Sequence, residues 1–118
     1  MALKLSTRTI EGVAVVDCNG RIVFGDEAAK LREQVKTMLA KTPSIVLNLG
    51  NVGYIDSGGL GTLVGLYTSA RSAGGEIKLA NLTPRVGDLL QVTKLLTVFD
   101  VHNSEQNAVA AFRRAAAS

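Results

Sequence analysis

The residues of this chain best suited to chemistry stand together in Tyr54, Ile55, Asp56, Ser57, Gly58, Gly59, Leu60 and Gly61, between the apolar run Ile45 to Leu49 and a stretch of helical periodicity. At such a junction Asp56 or Ser57 can cap the unpaired amides of a helix start, while Gly58 and Gly59 leave those amides uncovered by side chains. An ordinary N-cap is the plainest reading, and three chemistries compete with it. A glycine-rich helix start can bind anions. The dinucleotide fingerprint, however, needs glycine where Val64 stands, and no Gly-Lys-Ser/Thr follows for a phosphate loop. Nucleophilic catalysis by Ser57 is weakened by Ile55, which occupies the glycine position of a nucleophile elbow, and the one histidine, His102, is the only base on offer. Covalent phosphorylation of Ser57 would add ~1.5–2 negative charges near the positive end of a helix. Such a switch changes the charge and shape of a docking surface without unfolding the domain.

The elements that must position this segment alternate along the chain. Val13 to Asp17 reads as a strand running into a turn at Cys18, Asn19 and Gly20; Ile45 to Leu49 and Ile77 to Ala80 are two further strands. Their continuous apolar character suits central strands covered on both faces. Ala28, Leu31, Val35, Met38 and Leu39 recur at helical spacing behind Asp26 and Glu27, and Pro43 closes that segment. A second helix carries Leu60, Leu63, Val64, Tyr67 and Ala70 and stops at Gly74 and Gly75. Thr83 before Pro84 starts a third, with Val86, Leu89 and Leu90 as its stripe. Ser104 and Glu105 open a fourth, whose buried side is Ala108, Val109 and Phe112, and Val98 to Val101 reads as an additional edge strand. The order is strand, strand, helix, strand, helix, strand, helix, short strand, helix. It predicts an α/β fold with right-handed crossovers and a partly parallel mixed β-sheet packed with about four α-helices. Strand order and the distribution of helices between the faces stay open at this level.

Composition narrows the classes. The 118 residues suit one domain, 1–118, and 47% hydrophobic with 19% charged residues is enough apolar material for a core. No apolar run reaches the ~20 residues of a membrane span, and Met1 to Ser6 has no signal core, so the expectation is a soluble, cytoplasmic chain without membrane insertion. One cysteine, Cys18, and one histidine supply neither a disulfide nor a closed Cys/His zinc site. The net charge of +3 is scattered from Lys4 to Arg114, and 4% aromatic residues without Trp give no stacking platform, which argues against direct nucleic-acid binding. Cys18 reads as a small buried hydrophobe. Gly61 and Gly65, four apart on one side of the second helix, read as a place where the helix approaches the sheet or a partner closely. Arg113 and Arg114 suit the negative end of the last helix, and Ala115 to Ser118 is expected to fray.

Asp56-Ser57-Gly58-Gly59-Leu60-Gly61 at a helix start resembles the signature of the STAS domain, the fold of bacterial anti-sigma factor antagonists. The resemblance covers roughly residues 3 to 114. Gly20-Arg21-Ile22 matches the family's turn ahead of the first helix, Leu47-Asn48-Leu49 its central strand, and Gly74-Gly75-Glu76-Ile77 to Asn81 the strand that follows. The resemblance implies a phosphorylation-controlled protein-binding switch in transcription regulation, not an enzyme, with Ser57 as phosphoacceptor. Asp56, Gly58, Gly59, Leu60, Arg21, Val23 and Phe24 would form the docking surface. It implies that the unphosphorylated chain binds an anti-sigma factor serine kinase, a histidine-kinase-like ATPase, and so releases the sigma factor; a metal-dependent serine phosphatase resets the switch. ATP and magnesium would belong to the kinase, leaving this chain with no cofactor and no metal. The family also implies an alternative, a cytosolic STAS subunit of an ABC-type lipid transporter. Two positions depart from the pattern. Gly58 stands where many antagonists have a second Ser or Thr, and Val23-Phe24 stands where an acidic residue is common. That apolar pair is either an altered docking patch or packing under the first helix.

Overall fold

In the computed structural model, which describes residues 3–117, five strands form one sheet in the order β1 (Lys4–Ile10), β2 (Val13–Ile22), β3 (Ser44–Ile55), β4 (Glu76–Ala80) and β5 (Asp100–His102). β1 is antiparallel to β2 through a two-residue turn in which Glu11 and Gly12 both have positive φ, the geometry that matches the twist of the flanking strands. The other three pairings are parallel. Between them lie α1 (Asp26–Leu39), α2 (Ser57–Ser72) and α3 (Pro84–Val92), and α4 (Glu105–Ala117) closes the chain.

The strand order, left open by pattern alone, accounts for the layers. Each parallel crossover steps to the next strand in the same direction, and right-handed crossovers then place α1, α2 and α3 on one face. The main core lies there, with Val16, Leu47 and Leu79 from the sheet meeting Leu31, Leu63 and Leu90 from the three helices. α4 follows the last strand with no further crossover and covers the opposite face, where Ala108 and Val109 pack on Val13, Val15 and Val46. Arg8 ties this side together, bonding Asp17 at 2.7 Å and Glu105 of α4. Both carboxylates hold its guanidinium well above its ordinary pKa, Asp17 first.

Three boundaries differ from the sequence reading. β2 runs through Cys18, Asn19 and Gly20 to Ile22 instead of turning there, with irregular register on either side of Asn19 and Gly20, and Gly20 takes a φ of 126°. β3 likewise continues past Leu49 to Ile55. In these extensions Cys18, Ile22, Leu49, Val52 and Ile55 still face the three-helix core, while Asn19, Arg21, Asn51 and Gly53 are exposed beyond the reach of α4. At Cys18 to Gly20, polar alternation on an uncovered sheet face has the composition of a turn. The edge strand is shifted as well: a 3-10 turn at Leu95–Thr97 precedes it, Val98 is exposed, Phe99 enters the core edge-on to Tyr67, and pairing with β4 begins only at Asp100. At the C-terminus, where fraying is expected, α4 extends to Ala117, and Ser118 lies outside the described residues. Among the described residues no helix is long and apolar enough to cross a membrane.

Candidate functional site

The extended ends of β2 and β3 exist to deliver a loop and a helix start to the same point. β3 ends at Ile55, and the Asp56 amide donates to the Ile22 carbonyl at 3.3 Å, so the two strand ends stay bound as they leave the sheet. Asp56 is the N-cap of α2: its Oδ1 accepts from the Gly59 amide at 2.7 Å, and both carboxylate oxygens accept from the Phe24 amide at 3.1 Å. One side chain therefore fixes both the start of α2 and the segment entering α1. The Gly59 amide, then that of Phe24, holds the Asp56 carboxyl below the usual carboxylate range.

The glycines of this turn are required by closeness. A Cβ on Gly59 would lie 2.0 Å from the Ile22 carbonyl oxygen, and one on Gly58 would lie 2.5 Å from Cβ of Phe24. A Cβ at position 58 would meet Cβ, Cδ1 and Cα of Phe24 within 3.1 Å, so a Ser or Thr there would require the segment entering α1 to shift. Ser57, the first residue of α2, is exposed, and its hydroxyl makes no hydrogen bond among the described residues.

The residues singled out from sequence separate into distinct roles. Phe24 is 81% exposed beside Gly58, and Val23 is half-buried with its carbonyl accepting from the Ala28 amide, so of that pair only Phe24 offers a docking side chain. Leu60 does not: it is 8% exposed and belongs to the core, because the helix turns its side chain toward the sheet. Gly59 is buried against Ile22 and contributes geometry alone. Arg21 is exposed on β2 in register with Tyr54, on the uncovered sheet face. Of the two readings of Gly61 and Gly65, close approach to the sheet is overturned, since a Cβ at either would meet nothing within 4 Å. They let nothing in this chain come close, and with Gly58 they floor a cavity of about 350 Å³ walled by Phe24, Arg32 and Lys36.

His102 is occupied elsewhere. Its Nε2 lies 2.9 Å from Asp100, which also pairs with the buried Lys78 at 2.5 Å; Lys78 in turn reaches Glu76 at 3.1 Å and packs over the Phe112 ring. Burial of Lys78 works against its charge, and the two carboxylates outweigh it, leaving its pKa raised. His102 pairs with Ala80 and Ala80 with Asn48, so along β3 the histidine sits about 23 Å from the strand end that leads to Ser57, at ~3.3 Å of rise per residue. A Ser57–His102 hydrolase has no geometric basis. Cys18 is buried, and that burial, followed by the charge of Asp17, pushes its thiol up to about 12, which leaves it a protonated core residue.

A second cavity, of about 550 Å³, opens on the other flank of Ser57, lined by Tyr54, Asp56, Arg85, Asp88, Leu89 and Val92. Val92 is 79% exposed there. Arg85, Leu89 and Val92 follow one another at helical spacing along the side of α3 next to its core stripe, and that spacing is the signal for this surface in the sequence. α3 is aimed at this point by Thr83, whose Oγ1 donates to the Val52 carbonyl at 3.0 Å and accepts from the Val86 amide at 3.4 Å.

The STAS domain family profile matches residues 4–108 of this chain. The chain belongs to the STAS domain family. BtrV of Bordetella bronchiseptica, provisionally named an anti-sigma factor antagonist, is 31% identical over 114 residues, covering 96% of this chain and 97% of that protein. The anti-sigma-B factor antagonist of Bacillus subtilis is 32% identical over 82 residues, covering 70% of this chain and 75% of its own. The crystal structure of an anti-sigma factor antagonist from Mycobacterium paratuberculosis superposes with a TM-score of 0.82 at 23% identity, over 95% of each chain, and so shares the fold. The mixed sheet with four helices is the STAS fold anticipated from the Asp56 to Gly61 signature.

Proposed function

We propose that this STAS domain is an anti-sigma factor antagonist whose association with its partner is switched by phosphorylation of Ser57. The observation that carries the reading is the state of Ser57: an exposed, unengaged hydroxyl on the first turn of a helix whose start is held rigid by Asp56. Exposed apolar side chains flank it on both sides, Phe24 on one and Tyr54 with Val92 on the other. A rigid serine between two apolar patches suits a surface read by a protein, since exposed aromatic and aliphatic groups around a polar centre mark interaction sites. Similarity to proteins named as antagonists, over 96% of this chain for BtrV and 70% for the Bacillus subtilis protein, supports the same reading.

The partner would be an anti-sigma factor that is also a serine kinase using ATP and magnesium. Transfer forms a bond between Ser57 Oγ and the γ-phosphorus, breaks the bond from that phosphorus to the bridging oxygen of ADP, and releases the hydroxyl proton. The domain is then a substrate and binding partner, not a catalyst, and a serine phosphatase restores the hydroxyl by hydrolysis. The added charge enters a docking surface that already holds the Asp56 carboxylate, and repulsion with desolvation of the phosphate ends the association. The Asp56 cap would stay intact, since its acceptors are already committed to the Gly59 and Phe24 amides. Immobilised wild-type chain, exposed to host lysate with Mg-ADP, is expected to capture a histidine-kinase-like ATPase. Ser57→Ala should capture it as well and Ser57→Asp should not. Equal capture by wild type and Ser57→Asp, or capture of transporter subunits by both, would overturn the reading.

A further inference from the structure

The cavity between α2 and α3 is lined by one cation, Arg85. Arg85 sits in the first turn of α3 behind Pro84, and its guanidinium carbon lies 5.3 Å from the centre of the Tyr54 ring. It makes no ion pair among the described residues, although Asp88 stands three positions along the same helix and lines the same cavity. A guanidinium resting on an aromatic face keeps its N–H donors free at the edge, and a planar pair of donors suits a phosphate better than a point charge does. Ser57 lines this cavity from the opposite side, at the N-terminus of α2.

We propose that Arg85, held on Tyr54, is the intramolecular counter-ion of a phosphoryl group on Ser57. The proposal rests on the phosphorylation reading above and adds where the phosphate goes. The cavity, about 550 Å³, is large enough to receive it without displacing α3. The charged groups that face it are few. Asp56 is bound by two backbone amides, Asp88 is the competing anion, and Arg85 is the one cation lining the cavity. Phosphorylation would then do two things to the docking surface at once: it adds negative charge at Ser57, and it engages an arginine that is otherwise available to a partner.

The test installs phosphoserine at position 57 of the full chain by codon-directed incorporation, so that no kinase is needed, and follows its phosphorus resonance through a pH titration. A free phosphoserine loses its second proton near pH ~6. The titration midpoint in the wild-type background is expected to lie at least about half a unit below that of Arg85→Ala, a threefold or greater change in proton affinity, with Arg85→Lys between them. Arg71→Ala removes the same charge from the far end of α2 and is expected to titrate like wild type. The wild-type difference should persist at 0.5 M salt, where unpaired charges are screened. Equal midpoints for wild type and Arg85→Ala, or an equal shift in Arg71→Ala, would overturn the pairing. Because the phosphate is placed chemically, that failure would leave the kinase reading standing, and failure of any kinase to modify Ser57 would leave this result standing.

Discussion

The first turn of α2 and the turns that follow it are both rich in glycine, and they answer to opposite constraints. At Gly58 and Gly59 the backbone is pressed against Phe24 and Ile22, and a side chain has nowhere to go. At Gly61 and Gly65 the space is open, and glycine there costs about 1 kcal/mol of helix propensity each relative to alanine with nothing inside the chain to offset it. Glycines on one helix therefore carry two meanings. The first pair builds the site by letting a loop and a helix start meet; the second pair leaves the α1–α2 groove unfilled beside it.

Substitutions can break this contrast. The largest effect is expected at Gly59→Ala, whose Cβ would displace the Ile22 carbonyl; denaturant unfolding should show a loss of about 3 kcal/mol or more, or no folded protein. Asp56→Ala comes next. It removes the cap of α2 and the anchor of the Phe24 amide together, so a lower Tm and weaker partner capture should appear in one variant, whereas Ser57→Ala should leave Tm unchanged. If Asp56→Ala melts like wild type, the carboxylate does not hold the loop.

The same carboxylate predicts a pH dependence. Its folded pKa is lowered, so its contribution is complete above the ordinary carboxylate range and is lost as pH falls through the lower folded value. Asp100 acts with the same sign, since Lys78 and His102 outweigh its burial. Stability should therefore fall on acidification below about pH 4, and less steeply in Asp56→Asn. The smallest effect runs the other way. Gly61→Ala should stabilise the chain by about 0.5–1 kcal/mol, and a loss instead would show that the open groove is needed by the fold.

Much of this architecture was legible because helical and strand periods are local. Leu31 and Val35, Leu63 and Ala70, Val86 and Leu90, and Ala108 and Val109 declare their helices in the sequence and are buried in the structure. Strand order was not legible, since pairing joins residues far apart, as Asn48 joins both Asp17 and Ala80. The ends of β2 and β3 are not legible because Asn19 and Asn51 are turn-like residues held in strand by pairing with each other. At the site, the Asp-Ser-Gly-Gly run announces the helix start and its Asp56 or Ser57 cap, but not that Leu60 turns inward. Nor could it show that Arg85, twenty-eight positions after Ser57, lines the same cavity. Proximity of that kind is created by the β3–α2–β4–α3 path, and only the folded chain displays it.

The central claim is that Ser57 is the switch, and the most direct test is to map phosphate after reaction with the captured partner. Purified wild-type chain, incubated with that partner and Mg-ATP, should gain one phosphoryl group, located at Ser57 by peptide mass spectrometry, and should lose its affinity for the partner in step with modification; Ser57→Ala should gain none. Phosphate on another residue, or full occupancy of Ser57 with undiminished binding, would contradict the account.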